Sequence, residues 1–139
     1  MQRFRVPVAA APLNAQAERY FRELPGAGSF TGDQTGVLVG QAGNLAQGTL
    51  VRFSLRVAPP GVVSEARFEA FGCPHVLATA AWVCEQLRGR AIADLLPGGP
   101  ADWASRFVVP AEKLGRLLLI EDALRAAATC VLPAGPKSP

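Results

Sequence analysis

Two stretches in which apolar and polar residues alternate, 49–57 and 64–71, constrain the fold of this chain more than any other feature. They flank the turn sequence Ala-Pro-Pro-Gly at residues 58–61, so they are expected to pair as an antiparallel hairpin. One register places apolar pairs on one face and opposite charges on the other, which is what cross-strand pairing favours. A slip of one residue would destroy both sets of contacts. The pairs that define this register are Arg56–Glu65, Arg52–Glu69, Phe53–Phe68 and Leu55–Ala66.

Helical patterns surround this hairpin and set the fold class. The expected elements, in chain order, are a helix at 13–24 with Asn14 as its N-cap, turns around at most one short strand at 36–40, the hairpin, a helix at 75–88, one or two helical turns within 91–109 and a final helix at 110–129. The buried stripe of the final helix is expected to comprise Leu114, Leu117, Leu118, Leu124 and Ala128. This order predicts an α+β domain in which a small antiparallel sheet of about three strands is covered on one side by helices.

Composition indicates one folded domain rather than a disordered tail or a secreted disulfide scaffold. With 139 residues, 50% hydrophobic and 18% charged, we expect a single domain over 1–139 with flexible ends at 1–12 and 133–139. The basic residues are scattered, which disfavours nucleic acid as a partner, and no apolar run approaches a membrane span. Three widely spaced cysteines indicate a reducing compartment, so we expect a soluble protein of the bacterial cytoplasm.

The segment 71–75 (FGCPH) carries the strongest chemical signal because it joins a predicted strand directly to a predicted helix. Cys73 should therefore lie at a helix N-terminus, where unpaired N–H groups favour a thiolate. Such a thiolate serves as a metal ligand, a sulfur acceptor or a nucleophile, and His75 would add a nitrogen ligand. The alternative is a small buried cysteine at a tight turn.

The other two cysteines are not expected to join this site. Cys84 follows Cys73 by eleven residues, which separates the two by about 16 Å along a helix. We expect Cys84 to lie in the core and Cys130 to be incidental at the end of the last helix.

Several of these segments resemble the IscU/NifU N-terminal scaffold family, whose members build iron–sulfur clusters. The similarity extends over roughly residues 20–128 and is carried by five segments: 25–30 (PGAGSF), 51–57 (VRFSLRV), 66–75 (ARFEAFGCPH), 80–89 (AAWVCEQLRG) and 121–127 (EDALRAA). The resemblance implies a SufE/NifU-like fold, an iron–sulfur cluster or an iron or zinc ion as cargo, and a cysteine desulfurase and an Hsp70 system with its co-chaperone as partners. It also implies a scaffold rather than an enzyme.

This chain departs from the family pattern at most of the cluster site. Of three ligand cysteines and an aspartate, only the middle cysteine is matched, by Cys73; the others fall on Gln47, Arg116 and Thr49. The family's chaperone-recognition stretch corresponds to Val109-Pro110-Ala-Glu-Lys113 and is partly kept. A cluster normally needs four soft ligands, and arginine cannot ligate iron, so its charge would instead pair with the Cys73 thiolate or another anion.

Two functions from different classes follow from this reading. The first is a scaffold-like protein of iron–sulfur cluster assembly with a degenerate site, in which Cys73 accepts sulfur or, together with His75, ligates a metal or cluster. The second is a paralogue unable to hold a cluster, which acts as a binding or regulatory module for the assembly proteins. An unrelated enzyme that depends on Cys73 is a third.

Overall fold

The computed structural model describes residues 13–130, so the ends expected to be flexible, 1–12 and 133–139, lie outside the described residues. The helices are α1 (Ala15–Glu23), α2 (Pro74–Leu87), α3 (Pro100–Phe107) and α4 (Leu114–Thr129), and the strands are β1 (Val37–Asn44), β2 (Thr49–Ala58) and β3 (Val62–Phe71). Short 3₁₀ turns occupy Leu45–Gln47, Ile92–Asp94 and Ala111–Lys113. Within these residues, no helix is both long and apolar enough to cross a bilayer.

The three strands form one antiparallel sheet in the order β1-β2-β3, and the predicted hairpin register is confirmed. All four predicted pairs occur, and both predicted charge pairs are ion pairs: Arg52 Nη1 lies 3.1 Å from Glu69 Oε1, and Arg56 Nε lies 3.5 Å from Glu65 Oε1. A bulge between Arg56 and Val57 shifts the register only towards the turn. The alternating pattern fixes the register of the hairpin because a slip of one residue would move every buried side chain to the exposed face.

Helices cover one face of the sheet, which confirms the predicted α+β class. The apolar side chains of β2 (Val51, Phe53 and Leu55) are fully buried on this face, where α2 packs on β3 and α4 packs on β1 and β2. Helix α1 then packs on α2 and α3 on α4. The opposite face carries the Arg–Glu pairs, with side-chain exposures of 30% to 46%.

Strand β1 is longer than the expected 36–40 because tertiary contacts override its glycine content. A β-carbon placed on Gly40 would lie 2.0 Å from the Ala123 carbonyl oxygen and 2.3 Å from the Ala127 nitrogen. Glycine at this position therefore lets the backbone of α4 rest directly on β1, and β1 pairs with β2 over its whole length.

The predicted buried stripe of α4 was partly wrong. Leu117 and Leu124 are fully buried, whereas Leu114 and Leu118 are 37% and 47% exposed and Ala128 is only partly buried. The other buried positions of α4 are Ile120, Ala123 and Ala127. Small alanines face the sheet because Gly40 brings the two backbones together, and this rotates the bulky Leu114 and Leu118 towards the surface.

Candidate functional site

Cys73 lies at the junction of β3 and α2, as the sequence predicted. It is the N-cap residue of α2, with extended backbone angles (φ −77°, ψ 162°) and Pro74 as the first helical residue. Its carbonyl oxygen accepts hydrogen bonds from the nitrogens of Val76 (3.0 Å) and Leu77 (3.1 Å), while its side chain makes no capping hydrogen bond. The thiol belongs to a half-buried residue at the N-terminus of α2, the positive end of the helix dipole.

The start of β2 lies beside this junction. The hairpin ladder pairs Leu50 with Phe71, so Thr49 and Gly48 come next to Gly72. A β-carbon on Gly72 would lie 3.5 Å from Thr49 Cγ2 and 3.6 Å from the Gly48 carbonyl oxygen. Thr49 is buried, and its hydroxyl oxygen would lie 3.6 Å from a β-carbon on Gly72. The start of β2 therefore brings one polar side-chain atom towards the turn that holds Cys73.

Gln47 belongs to the same end of the sheet, and its backbone nitrogen and side-chain oxygen are both engaged by Asn44. Its backbone nitrogen donates to Asn44 Oδ1 (2.8 Å), and its side-chain oxygen accepts from Asn44 Nδ2 (3.3 Å). The residue is exposed, within the 3₁₀ turn that precedes β2.

His75, two residues after Cys73, is buried at 1% exposure and contacts a cation. Its Nδ1 lies 3.3 Å from Lys113 Nζ. Because an ammonium group only donates, Nδ1 is the acceptor in this contact. Lys113 ends the 3₁₀ turn before α4, so this contact ties the start of α4 to the first turn of α2. The pair is separated by 38 residues, and no sequence pattern signals it.

The rest of the stretch proposed for partner binding is only partly packed against the core, since Ala111 and Glu112 are exposed. Val109 is buried at 9% exposure and its nitrogen donates to the Ala104 carbonyl oxygen (2.9 Å). Pro110 is half-buried and precedes the turn Ala111–Lys113. A partner that reads this stretch in extended form would first have to open the connection between α3 and α4.

Arg116 is exposed near the N-terminus of α4, one turn beyond Lys113. Among residues 13–130 it makes no hydrogen bond or ion pair, so the expected pairing with the Cys73 thiolate is not seen. The same residues contain no group of three or more His, Cys, Asp or Glu side chains that could hold a metal ion. The polar groups at this end of the sheet and of α2 are thus the Cys73 thiol, the Thr49 hydroxyl and the Lys113–His75 pair.

The remaining cysteines lie away from this site. Cys84 is 3% exposed, and burial raises the pKa of its thiol to about 12, against smaller lowering effects of Arg67 and Arg88. Cys130 follows α4, is exposed, and its thiol donates to the Val39 carbonyl oxygen (3.2 Å). The expectation that Cys84 belongs to the core is confirmed.

Two exposed apolar side chains, one two residues before Cys73 and one in the turn before β2, were not predicted from the sequence. Phe71, two residues before Cys73, is 55% exposed, and Leu45, in the turn before β2, is 61% exposed. Phe71 ends a strand whose alternation places it on the outer face, which is the signal that would have found it.

A three-stranded antiparallel sheet with a thiol at the N-terminus of its covering helix defines a class of small α+β domains, and comparison with known proteins identifies the family. Residues 16–131 match the family described as NifU-like N terminal domain. The chain therefore belongs to the NifU-like N-terminal domain family.

Individual relatives agree with this assignment. The chain is 29% identical over 100 residues to the iron-sulfur cluster assembly scaffold protein IscU of Escherichia coli (strain K12), covering 72% of this chain and 78% of that protein. It is equally similar to the protein of the same name from Rickettsia prowazekii, of which it covers 76%.

Two solved structures share the fold. One is a putative iron-sulfur cluster assembly scaffold protein for the SUF system from Fervidobacterium islandicum AW-1 (TM-score 0.60, 15% identity, 83% of this chain and 95% of that chain). The other is the N-terminal part of a NifU-like protein from Brucella abortus (TM-score 0.61, 16% identity, 86% and 91%).

Proposed function

We propose that this protein is a scaffold-like component of iron–sulfur cluster assembly whose single site thiol, Cys73, accepts sulfur from a cysteine desulfurase. The family assignment and the relatives named as cluster assembly scaffolds support the process. The observation that carries the residue assignment is the half-buried Cys73 at the N-terminus of α2, with no side-chain capping bond to occupy its sulfur.

The chemistry of the site favours sulfur over metal as the species first bound. Accepting sulfur needs only one nucleophilic sulfur atom, which Cys73 supplies at the N-terminus of α2. A metal or cluster needs several ligands, whereas the positions aligned with the family's other ligands carry Gln47, Thr49 and Arg116. The Lys113 ammonium at Nδ1 of His75 further disfavours a metal at that nitrogen, because two cations would compete for one lone pair. Any cluster or metal ion would then require ligands from a partner chain.

The proposed step is a persulfide exchange. The Cys73 thiolate attacks the outer sulfur of a cysteine persulfide on the desulfurase, the donor's S–S bond breaks, and a new S–S bond forms on Cys73. The donor cysteine leaves as a thiolate, so no external oxidant or reductant is needed. In this role the protein is a carrier rather than an enzyme, and its free thiol suits the reducing bacterial cytoplasm.

The second candidate is a regulatory module that binds assembly proteins without carrying a cluster. Exposed Phe71, two residues before Cys73, and exposed Leu45, in the turn before β2, favour it, since apolar side chains at the surface are suited to docking a protein. An Hsp70 system with its co-chaperone would have to recognise the stretch from Val109 to Lys113, in which Val109 is buried while Ala111 and Glu112 are exposed.

Persulfide mapping tests the proposal directly. The protein is incubated anaerobically with a cysteine desulfurase and L-cysteine, and labelled peptides are analysed by mass spectrometry. We expect one added sulfur atom on Cys73, its loss in Cys73→Ser, and its retention in Cys130→Ser, which removes the other thiol outside the core. Sulfur on Cys130 alone, or on no cysteine, contradicts the sulfur-acceptor role.

Reconstitution separates the two candidates. Anaerobic addition of iron and sulfide that gives a visible absorption band, lost in Cys73→Ser, would support a cluster-carrying scaffold. A colourless protein that takes no sulfur but still binds the desulfurase in a pull-down would instead establish the regulatory module.

A further inference from the structure

The outer edge of β3 is covered by chain segments at two points and open between them. At one point Phe68 donates to the Gly26 carbonyl oxygen (2.9 Å) and accepts from the Gly28 nitrogen (2.8 Å). At the other, Val63 accepts from the Gly89 nitrogen (2.8 Å) and donates to the Arg90 carbonyl oxygen (2.9 Å). A strand edge left bare between two such segments exposes backbone donors and acceptors.

Ala66 lies at the open part of this edge. Phe68 directs its N–H and C=O away from β2, and the two-residue period of a strand gives Ala66 the same direction. The Ala66 carbonyl oxygen accepts a hydrogen bond from Arg67 Nη1 (2.9 Å). No backbone group outside the sheet, within residues 13–130, accepts from the Ala66 N–H. A donor therefore faces the gap.

The gap is a cavity of about 490 Å³, within the size range of small-molecule sites. Gly26, which has a left-handed backbone (φ +88°), lines this cavity and packs closely on Cys84: a β-carbon on Gly26 would lie 2.9 Å from Cys84 Sγ. The buried Cys84 thiol also lines the cavity. Cys84 follows Cys73 by eleven helical residues, which places this cavity about 16 Å from the proposed sulfur site.

Two guanidinium groups line the cavity, Arg67 from β3 and Arg88 from the end of α2. Arg67 also lies 3.7 Å from Glu65 Oε2 at the surface. Arg88 makes no hydrogen bond or ion pair with any described residue, so its donors are available. Burial, the largest effect, and Glu85 raise the pKa of the Cys84 thiol, whereas both arginines are close enough to the thiol to lower that pKa.

One carboxylate, that of Glu85, also lines the cavity and offsets part of this positive charge. Glu85 Oε1 accepts a short hydrogen bond from the Tyr20 hydroxyl, so one of its oxygens is already engaged. Arg67 is itself partly engaged by Glu65 and by the Ala66 carbonyl oxygen. Arg88, unpaired among the described residues, and the Ala66 N–H are therefore the main available donors, against the Glu85 carboxylate. This balance suits a ligand of single negative charge better than a highly charged one.

We infer that this cavity binds a small anion, a carboxylate or an oxyanion, held by Arg88, Arg67 and the Ala66 N–H. Arginine pairs with such groups through two parallel N–H donors, and the strand-edge amide adds a third direction of approach. The site is separate from Cys73 and does not depend on the proposed sulfur chemistry.

The test is a titration of the full-length ¹⁵N-labelled protein with acetate and, separately, with inorganic phosphate, followed by the amide resonance of Ala66. We expect a saturable shift with at least one probe, and the probe that binds more tightly identifies the ligand as a carboxylate or an oxyanion. Arg88→Gln should raise the apparent Kd about tenfold, since it removes a charge-assisted pair. Cys73→Ser should leave the titration unchanged.

Arg22→Gln is the matched control because it makes the same charge change at an exposed position on α1. It should bind both probes as the wild type does. A non-saturating shift, the same loss of affinity in Arg22→Gln and Arg88→Gln, or no response of the Ala66 amide to either probe would overturn the inference. Unchanged thermal midpoints of both variants would show that the comparison is made between folded proteins.

Discussion

Substituting Gly40 by alanine should separate α4 from the sheet. The added β-carbon would lie 2.0 Å from the Ala123 carbonyl oxygen and 2.3 Å from the Ala127 nitrogen. Both atoms are helix backbone, which no side-chain rotation can move aside. Because a real β-carbon rarely approaches within 3.0 Å of such an atom, α4 would have to retreat by about 1 Å.

The size of the effect follows from what α4 buries. Leu117, Ile120 and Leu124 are fully buried, and burial of each such side chain stabilises the fold by about 1.5–3 kcal/mol. A gap of 0.5–1 Å forfeits roughly a quarter to a half of the contact energy. Gly40→Ala should therefore lower the free energy of unfolding by about 1–4 kcal/mol. For a chain of this length that corresponds to roughly 3–14 °C in Tm.

Gly115→Ala is the matched control because it is the same substitution with the opposite expected sign. Gly115 lies in α4, and a β-carbon there would meet no atom within 4 Å. Alanine is the better helix former, so this variant should be more stable by about 0.5–1 kcal/mol. Calorimetry and urea unfolding of the three proteins measure both values. If Gly40→Ala unfolds within 1 °C of the wild type, direct backbone packing of α4 on β1 is refuted.

Two further predictions concern other elements. Asn14 caps α1 by accepting a hydrogen bond from the Ala17 nitrogen (2.8 Å), and its side-chain nitrogen donates to the Arg106 carbonyl oxygen (3.0 Å). Because Asn14→Ala removes both bonds, it should lower the free energy of unfolding by about 1–2 kcal/mol. An unchanged urea midpoint would contradict this prediction. Burial raises the pKa of the Cys84 thiol from 9.0 to about 12, so the unfolded chain loses this proton first as pH rises. The thiol's contribution to stability is complete below about pH 9 and is lost towards pH 12, by roughly 1 kcal/mol per pH unit. Unfolding measured from pH 8 to 11 should therefore have a shallower slope in Cys84→Ala than in the wild type, and equal slopes would count against a buried neutral thiol.

The hairpin shows why part of the fold could be predicted from the sequence. Burial on one face of a strand imposes a period of two, and Arg52 and Arg56 carry opposite charges to Glu69 and Glu65. These constraints act between residues less than twenty positions apart, and a single register satisfies them all. The position of Cys73 followed directly, because the strand ends where the helix must begin.

The orientation of α4 shows why other parts could not. The periodicity of Leu114, Leu117 and Leu118 fits more than one buried face, and the face chosen depends on Gly40, far away in the chain. From the sequence alone, a glycine within a strand predicts a weak or short strand, and its role in close backbone packing appears only when the helix that lies on it is known.

The same division applies to the candidate site. The sequence by itself determined that a thiol would stand at a strand-to-helix turn, since alternation, a proline and a helical pattern meet there. Only the tertiary structure brought Lys113 to His75 and left Ala66 at an open strand edge beside two arginines. The physical reason is that these contacts join segments that carry no mutual pattern, so they are fixed by the packing of the whole core rather than by any local period.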